Sequence, residues 1–296
     1  MAASNRSTLL TKTHKVLKKH YKPVHQPSDR PVLEQLLFGC CLENASYEAA
    51  EQAYAALEHN FFDWNEVRVS SVKELTESMD GLPDPTAAAG NVKRVLQNVF
   101  ESTYSFELES LRKLTLGQAV TRLEKFDGAT PFCVAHVTQH ALGGHSIPVD
   151  RGALDALLVI GAVTDAEAAH GTVPGLERAI PKTKGPEFGS LLHQLSAEFV
   201  ANPYSPKLHK VLLEISPDAK QRLPKRPSKK ARKAEPADAP EKTAAGKKRP
   251  PAAKAASGAK KKTAAKKKAA AGKSGKKSVT KGKKPTPAKT LRRKPR

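Results

Sequence analysis

Residues 116–152 read LGQAVTRLEKFDGATPFCVAHVTQHALGGHSIPVDRG, and the rest of the chain is organised around this stretch. Ala119, Val120, Leu123 and Phe126 recur at helical spacing, and so do Val134, Val137 and Ala141, which gives two amphipathic helices. Between them lies a very short break, Asp127-Gly128-Ala129-Thr130. Gly128 can take the positive φ that ends the first helix, Thr130 can cap the second, and Pro131 suits its first turn. The start of that second helix leaves backbone N–H groups at the positive end of a helix dipole. A phosphate oxygen can be held there, directly or through a monovalent cation. A loop at Gly143, Gly144, His145 and Ser146 follows, then Ile147-Pro148-Val149 and an acid, Asp150, ahead of another helical pattern.

At these residues the chain resembles the helix-hairpin-helix DNA glycosylase superfamily, endonuclease III-like. The family signature is a Leu-Pro-Gly-Val-Gly hairpin, a helix, and then Val-Asp. Here it reads Phe126-Asp127-Gly128-Ala129-Thr130, with Val149-Asp150 about twenty residues on. The likeness runs over about residues 31–215, in helix order and length more than in identity. It implies an all-α, two-lobed HhH-GPD-like body with a cleft, Asp150 as catalytic carboxylate, and DNA-backbone contacts from Gly128, Ala129, Thr130 and Pro131. By helix register Glu43, followed by Asn44, takes the place of a glutamine that fills the gap left in the duplex by an extruded base. Read without the family, Glu43 and Asn44 are a helix end before the cap Ser46, Asp150 is a helix N-cap, and the hairpin is a tight helical turn.

The chain departs from the family pattern at several positions. Thr130 replaces the second hairpin glycine, and Phe132 stands where bifunctional members carry a Schiff-base lysine, so strand cleavage through an imine lacks its nucleophile. Any activity is then hydrolytic and monofunctional. Gly39 occupies the register of the catalytic glutamate of the adenine-removing branch. Many members close their C-terminal end with a four-cysteine loop, but residues 202–215 contain no cysteine, so no iron–sulfur cluster is expected. The ten histidines show no metal-ligand spacing, and no metal site is assigned.

Charge divides the chain sharply. Of 51 Lys and Arg, 29 fall in residues 221–296 with three acids, a net of +26; the other 22 bases and 26 acids leave residues 1–220 at −4. The tail has only Leu223, Val279 and Leu291 as sizeable apolar residues, so it cannot offset its ordering entropy and is expected to be disordered. Its runs, such as KKKTAAKKKAAA at 260–271, resemble linker-histone tails. Lysines spaced by small residues neutralise phosphates without reading sequence. The absence of aromatic anchors disfavours a membrane surface.

Cys40, Cys41 and Cys133 form no disulfide framework, which suits a reducing compartment. No signal-peptide core or membrane-length apolar run is read from the sequence. An intracellular protein is expected, in the cytoplasm or nucleoid of a bacterium or the nucleus of a eukaryote.

Along the chain, residues 7–20 form an amphipathic helix with Lys12, Lys15, Lys18 and Lys19 on its polar face, suited to packing or to a DNA-facing role. Residues 31–42 are apolar nearly all round, as a core helix is. Ser71-Val72-Lys73-Glu74 has the form of a capping box. Lys93 and Arg94 are candidate backbone contacts. Phe188, Leu191, Leu192, Leu195 and Phe199 make one helical stripe.

The expected domains are residues 1–30, an amphipathic helix and linker; 31–220, the helical body with its hairpin pair at 117–142; and 221–296, the basic tail. The expected partner is double-stranded DNA, with no membrane, and the sequence leaves the oligomeric state and any target base open. Two functions remain: a monofunctional glycosylase acting through Asp150, or a non-catalytic, nucleoid-associated DNA-binding protein.

Overall fold

A computed structural model describes residues 3–226 apart from 26 and 28; residues 227–296, the bulk of the expected basic tail, lie outside them. The described residues form thirteen α-helices and three short 3₁₀ turns, with no strand among them.

The first lobe is built around α2 (Val32–Leu42), which starts behind Pro31 and buries ten of its eleven residues, so neighbours must surround it. They are α3 (Tyr47–Asn60), capped by Ser46; α6 (Pro85–Thr103), capped by Asp84; and α8 (Pro131–His140), capped by Thr130. The short α4 (Trp64–Val69) and α5 (Val72–Ser78) pack on α6, and the expected capping box of Ser71 and Glu74 opens α5. Helix α7 (Leu116–Leu123) completes the hairpin pair with α8. Leu36, Leu37, Phe38, Val92, Leu96 and Val137 are fully buried in this core.

The second lobe holds α9 (Arg151–Ile160), α10 (Asp165–Ala169), α11 (Leu176–Ala179), α12 (Gly185–Ala201) and α13 (Pro206–Ile215). The N-terminal helix α1 (Ala3–His20) joins it, packing on α11, α12 and α13 through Leu10 and Leu17. Lys18 and Lys19 on its outer face pair with Glu187 and Glu214. Helix α1 thus packs on the second lobe, with Lys12 and Lys15 exposed on its outer face. The stripe from Phe188 to Phe199 forms the spine of this lobe, with α9 laid along it. Leu223, counted with the tail by composition, packs on the same core, and Arg222 Nε donates to the Val159 carbonyl at 2.8 Å.

The chain passes between the lobes after α1 and again at residues 142–150. The end of α2, the start of α8, the start of α9 and the middle of α12 consequently converge at the junction. No helix of the described residues is long and apolar enough to cross a membrane.

Candidate functional site

The hairpin forms as its residues dictate. Gly128 has φ +90°, and a Cβ there would lie 2.6 Å from the Asn91 carbonyl oxygen and 3.0 Å from Arg94 Cβ. Glycine is required both by the dihedral and by the approach of α6. The Ala129 amide donates to the Phe126 carbonyl at 3.0 Å, closing the turn. Thr130 Oγ1 accepts from the Cys133 amide at 3.2 Å, the expected cap. The Gly128 and Thr130 amides meet no acceptor among the described residues, and residues 128–130 are partly exposed with Pro131 exposed. Arg94 stands beside the turn, its Nε 3.5 Å from Asp127. Lys93 does not belong to this surface: its Nζ donates to the Arg68 and Ser70 carbonyls and closes the end of α4.

Asp150 is the N-cap of α9, as its sequence position predicts, and is 2% exposed. Its Oδ1 accepts from the Ala153 amide at 3.0 Å and from the Ser196 hydroxyl; its Oδ2 lies 3.3 Å from the Asn44 amide and 3.2 Å from His193 Nδ1. Burial acts to raise its pKa, but the His193, Ser196 and Ala153 groups together outweigh it and hold the carboxyl below the usual carboxylate value. Asp150 is therefore a carboxylate held at the lobe junction by the Ala153 and Asn44 amides and the Ser196 hydroxyl, with His193 Nδ1 close to Oδ2 but not aligned as a hydrogen bond.

Residues 43–45 lie over it. Helix α2 ends at Glu43, and Asn44 turns the chain with a left-handed φ of 61°, one of two non-glycine residues with positive φ among those described. Asn44 Oδ1 accepts from the Gly152 amide at 3.4 Å, and His193 Nε2 donates to the Ala45 carbonyl at 2.7 Å. Glu43, the expected base-gap residue, is partly exposed and leans on the hairpin, its Oε2 accepting from Thr130 Oγ1 at 2.8 Å. Burial, opposed by that hydroxyl and helped by the Asp150 charge, pushes the Glu43 carboxyl up. The expected residues Glu43, Asn44, Thr130 and Asp150 are thus gathered into one continuous hydrogen-bonded cluster.

The open cleft expected at Asp150 is closed. Phe132 is buried and stacks on His136 and His193, with ring centroids 6.1 and 5.7 Å apart, filling the space to which a lysine there would have reached. Burial and the neighbouring His140 and His193 keep His136 well below the ordinary histidine value, so it sits neutral beside Gln35 at 2.7 Å. Gly39 packs against α8: a Cβ at that position would meet Cys133 Cα at 3.5 Å, an ordinary contact.

His193 and Ser196 have no counterpart in the sequence reading. They occupy polar positions three apart on an apolar helix, a pattern more often solvated than functional. Only their burial, at 4% and 0% exposure, separates them from surface residues.

No family model matches the chain. A protein of Arabidopsis thaliana, provisionally named a DNA glycosylase, is 24% identical over 160 residues, 53% of this chain and 54% of its own length. The chain thus spans about half of that curated relative. Among solved structures, a trapped covalent intermediate of endonuclease III with DNA superposes with a TM-score of 0.51 at 15% identity, over 76% of this chain and 100% of the other. A thermostable thymine-DNA glycosylase gives 0.50 at 14%, over 75% and 100%. Those similarities agree with the all-helical architecture: this chain has the helix-hairpin-helix, HhH-GPD-like fold of the endonuclease III-like DNA glycosylases.

Proposed function

We propose that this protein binds duplex DNA through the Gly128–Pro131 turn and removes a base from it hydrolytically, as a monofunctional glycosylase that uses Asp150. The observation that carries the reading is the Asp150 carboxylate itself: it is kept ionised at the lobe junction and joined to the hairpin through Asn44, Glu43 and Thr130. Base departure leaves a sugar with cationic character, which a nearby carboxylate stabilises while the flipped base occupies a pocket. With Phe132 in place of an amine there is no nucleophile for an imine and no lyase step.

The hairpin amides of Gly128 and Thr130 supply the phosphate contact, and the Asp127 and Gly128 carbonyls, which accept from no described group, suit a monovalent cation beside it. Access to Asp150 requires residues 43–45 to lift. The two contacts that tie Asn44 to α9, at 3.3 and 3.4 Å, are long and its backbone is left-handed, but lifting this corner also breaks the bonds of Glu43 to Thr130 at 2.8 Å and of Ala45 to His193 at 2.7 Å. The basic tail supplies non-specific attachment with a steep salt dependence. The burial of Asp150 favours one other reading, a DNA-binding protein without chemistry.

The test is base release from duplexes carrying a panel of lesions, with Asp150→Asn as the control. Release that the substitution abolishes supports the enzyme, whereas no release from any lesion leaves only binding. Salt titrations with and without residues 227–296 address the tail, and equal slopes would contradict its role.

A further inference from the structure

Helix α7 runs into the hairpin with two different sides. On one, Val120 and Glu124 line a hollow with Pro131 and Val134 of α8. On the other, Gln118, Thr121, Arg122 and Lys125 follow one another at helical spacing and border a groove of about 540 Å³ shared with Asn98 of α6. The buried Phe126 lies at its base. The groove reaches the turn itself, where Asn98 Oδ1 accepts from the Asp127 amide at 3.3 Å.

Most basic side chains of the first lobe are already engaged. Arg94 pairs with Asp127, Arg112 with Glu109 and Lys73 with Glu77. Lys93 donates to the Arg68 and Ser70 carbonyls, and Arg68 bonds Asn65 and Gln97 while lying over the Phe100 ring. Between residues 31 and 142, Lys113, Arg122 and Lys125 alone have neither an acidic partner nor a hydrogen-bond acceptor among the described residues. Two of these three border the groove, and both are exposed. The acids nearby do not neutralise them: Asp127 is paired with Arg94, Glu124 lies on the opposite side of α7, and Glu101 accepts from the Gln97 side chain. Residues 1–220 carry a net charge of −4, so an uncompensated basic groove beside the hairpin stands out from the body's surface.

We propose that this groove is a second backbone-binding site for DNA, taking the phosphates next along the strand from the one held at the Gly128 turn. Arg122 offers a planar fork to two phosphate oxygens and Lys125 a point charge, while Gln118 and Thr121 add neutral donors. The assignment gives the bound strand a direction, away from α8 and along the cleft between α6 and α7. It rests on the hairpin contact proposed above but on no chemistry at Asp150, and it holds equally for a body that binds DNA without releasing a base.

The experiment uses the full chain and a duplex carrying one tetrahydrofuran abasic-site analogue, which presents the product of base loss whatever the base was. Lysines are acetylated and arginines modified with phenylglyoxal, with and without the duplex, and the sites are read by mass spectrometry. Hydrogen exchange follows residues 128–130 in the same samples, since the Gly128 and Thr130 amides have no acceptor and exchange freely until a phosphate arrives. Arg122 and Lys125 should lose most of their reactivity on binding, Lys113 should keep its own, and the hairpin amides should slow. The Arg122→Ala, Lys125→Ala double variant should lower the slope of log affinity against log salt by about 1.8, about 0.9 for each phosphate contact, and Lys113→Ala should leave it unchanged. Both side chains are exposed, so the double variant is expected to melt with the parent.

Unchanged labelling of Arg122 and Lys125 while the hairpin amides slow would overturn the groove and leave the hairpin contact standing. A double variant whose slope moves no more than that of Lys113→Ala would do the same. A bound duplex that protects neither the groove nor the hairpin ends both.

Discussion

Replacing Asp150 by Asn tests whether the junction requires a charge or only a cap. The asparagine Oδ1 can still accept from the Ala153 amide and the Ser196 hydroxyl, so the cap of α9 survives. Its amide group, however, would turn a donor toward the Asn44 amide now 3.3 Å from Oδ2, and His193 Nδ1 would lose the carboxylate at 3.2 Å. An orphaned buried N–H costs about 1–3 kcal/mol. Because the Asn44 contact is long, the lower half of that range applies, and the expected loss is about 1–2 kcal/mol at pH 7.

The pH dependence has a fixed sign. The folded carboxyl titrates below its unfolded value of about 3.9, so its contribution is complete above that value and disappears as the pH falls through the folded one. Urea unfolding of both proteins at pH 7, 5 and 3 reads this directly. The gap should be constant between pH 7 and 5 and narrow at pH 3. A gap under about 0.5 kcal/mol at pH 7, the usual scatter of a surface substitution, would refute the reasoning. It would also make Asp150→Asn a cleaner catalytic control than the structure implies.

Three further outcomes follow from single contacts. Gly128→Ala should cost about 2–4 kcal/mol, combining left-handed strain with overpacking against the Asn91 carbonyl, and should lower duplex affinity; thermal melts and binding titrations check both. Phe132→Lys should lose about 3 kcal/mol or more, since an unpaired ammonium would enter the stack between His136 and His193, and it should give no borohydride-trapped adduct with DNA despite the restored amine. Burial lowers the His140 pKa to about 4, so the unfolded chain takes up its proton first. Stability should therefore fall as the pH drops from about 6.5 toward 4, a slope that His140→Gln flattens in pH-dependent unfolding.

Most helices and caps were legible without coordinates because each is decided by neighbours in the chain: Thr130 and Pro131 begin α8, and Ser71 with Glu74 or Asp150 caps its own segment, although the helix expected to run to Gly128 stops at Leu123 and leaves Gly128 in the turn. The uneven charge of the chain was equally a property of composition. What the tertiary structure decided lies between segments far apart. Sequence spacing places Asp150 before α9 but cannot bring Ser196 and His193 to its oxygens, fold Asn44 over it in a left-handed turn, or tie Glu43 to Thr130 across 87 positions. Nor could it foresee that Phe132 would fill the expected cleft, or that α1 would pack with the C-terminal half of the chain. Local periodicity fixes which face of a helix is apolar; which apolar faces meet, and which polar side chains are sealed with them, is settled only when the two cores close.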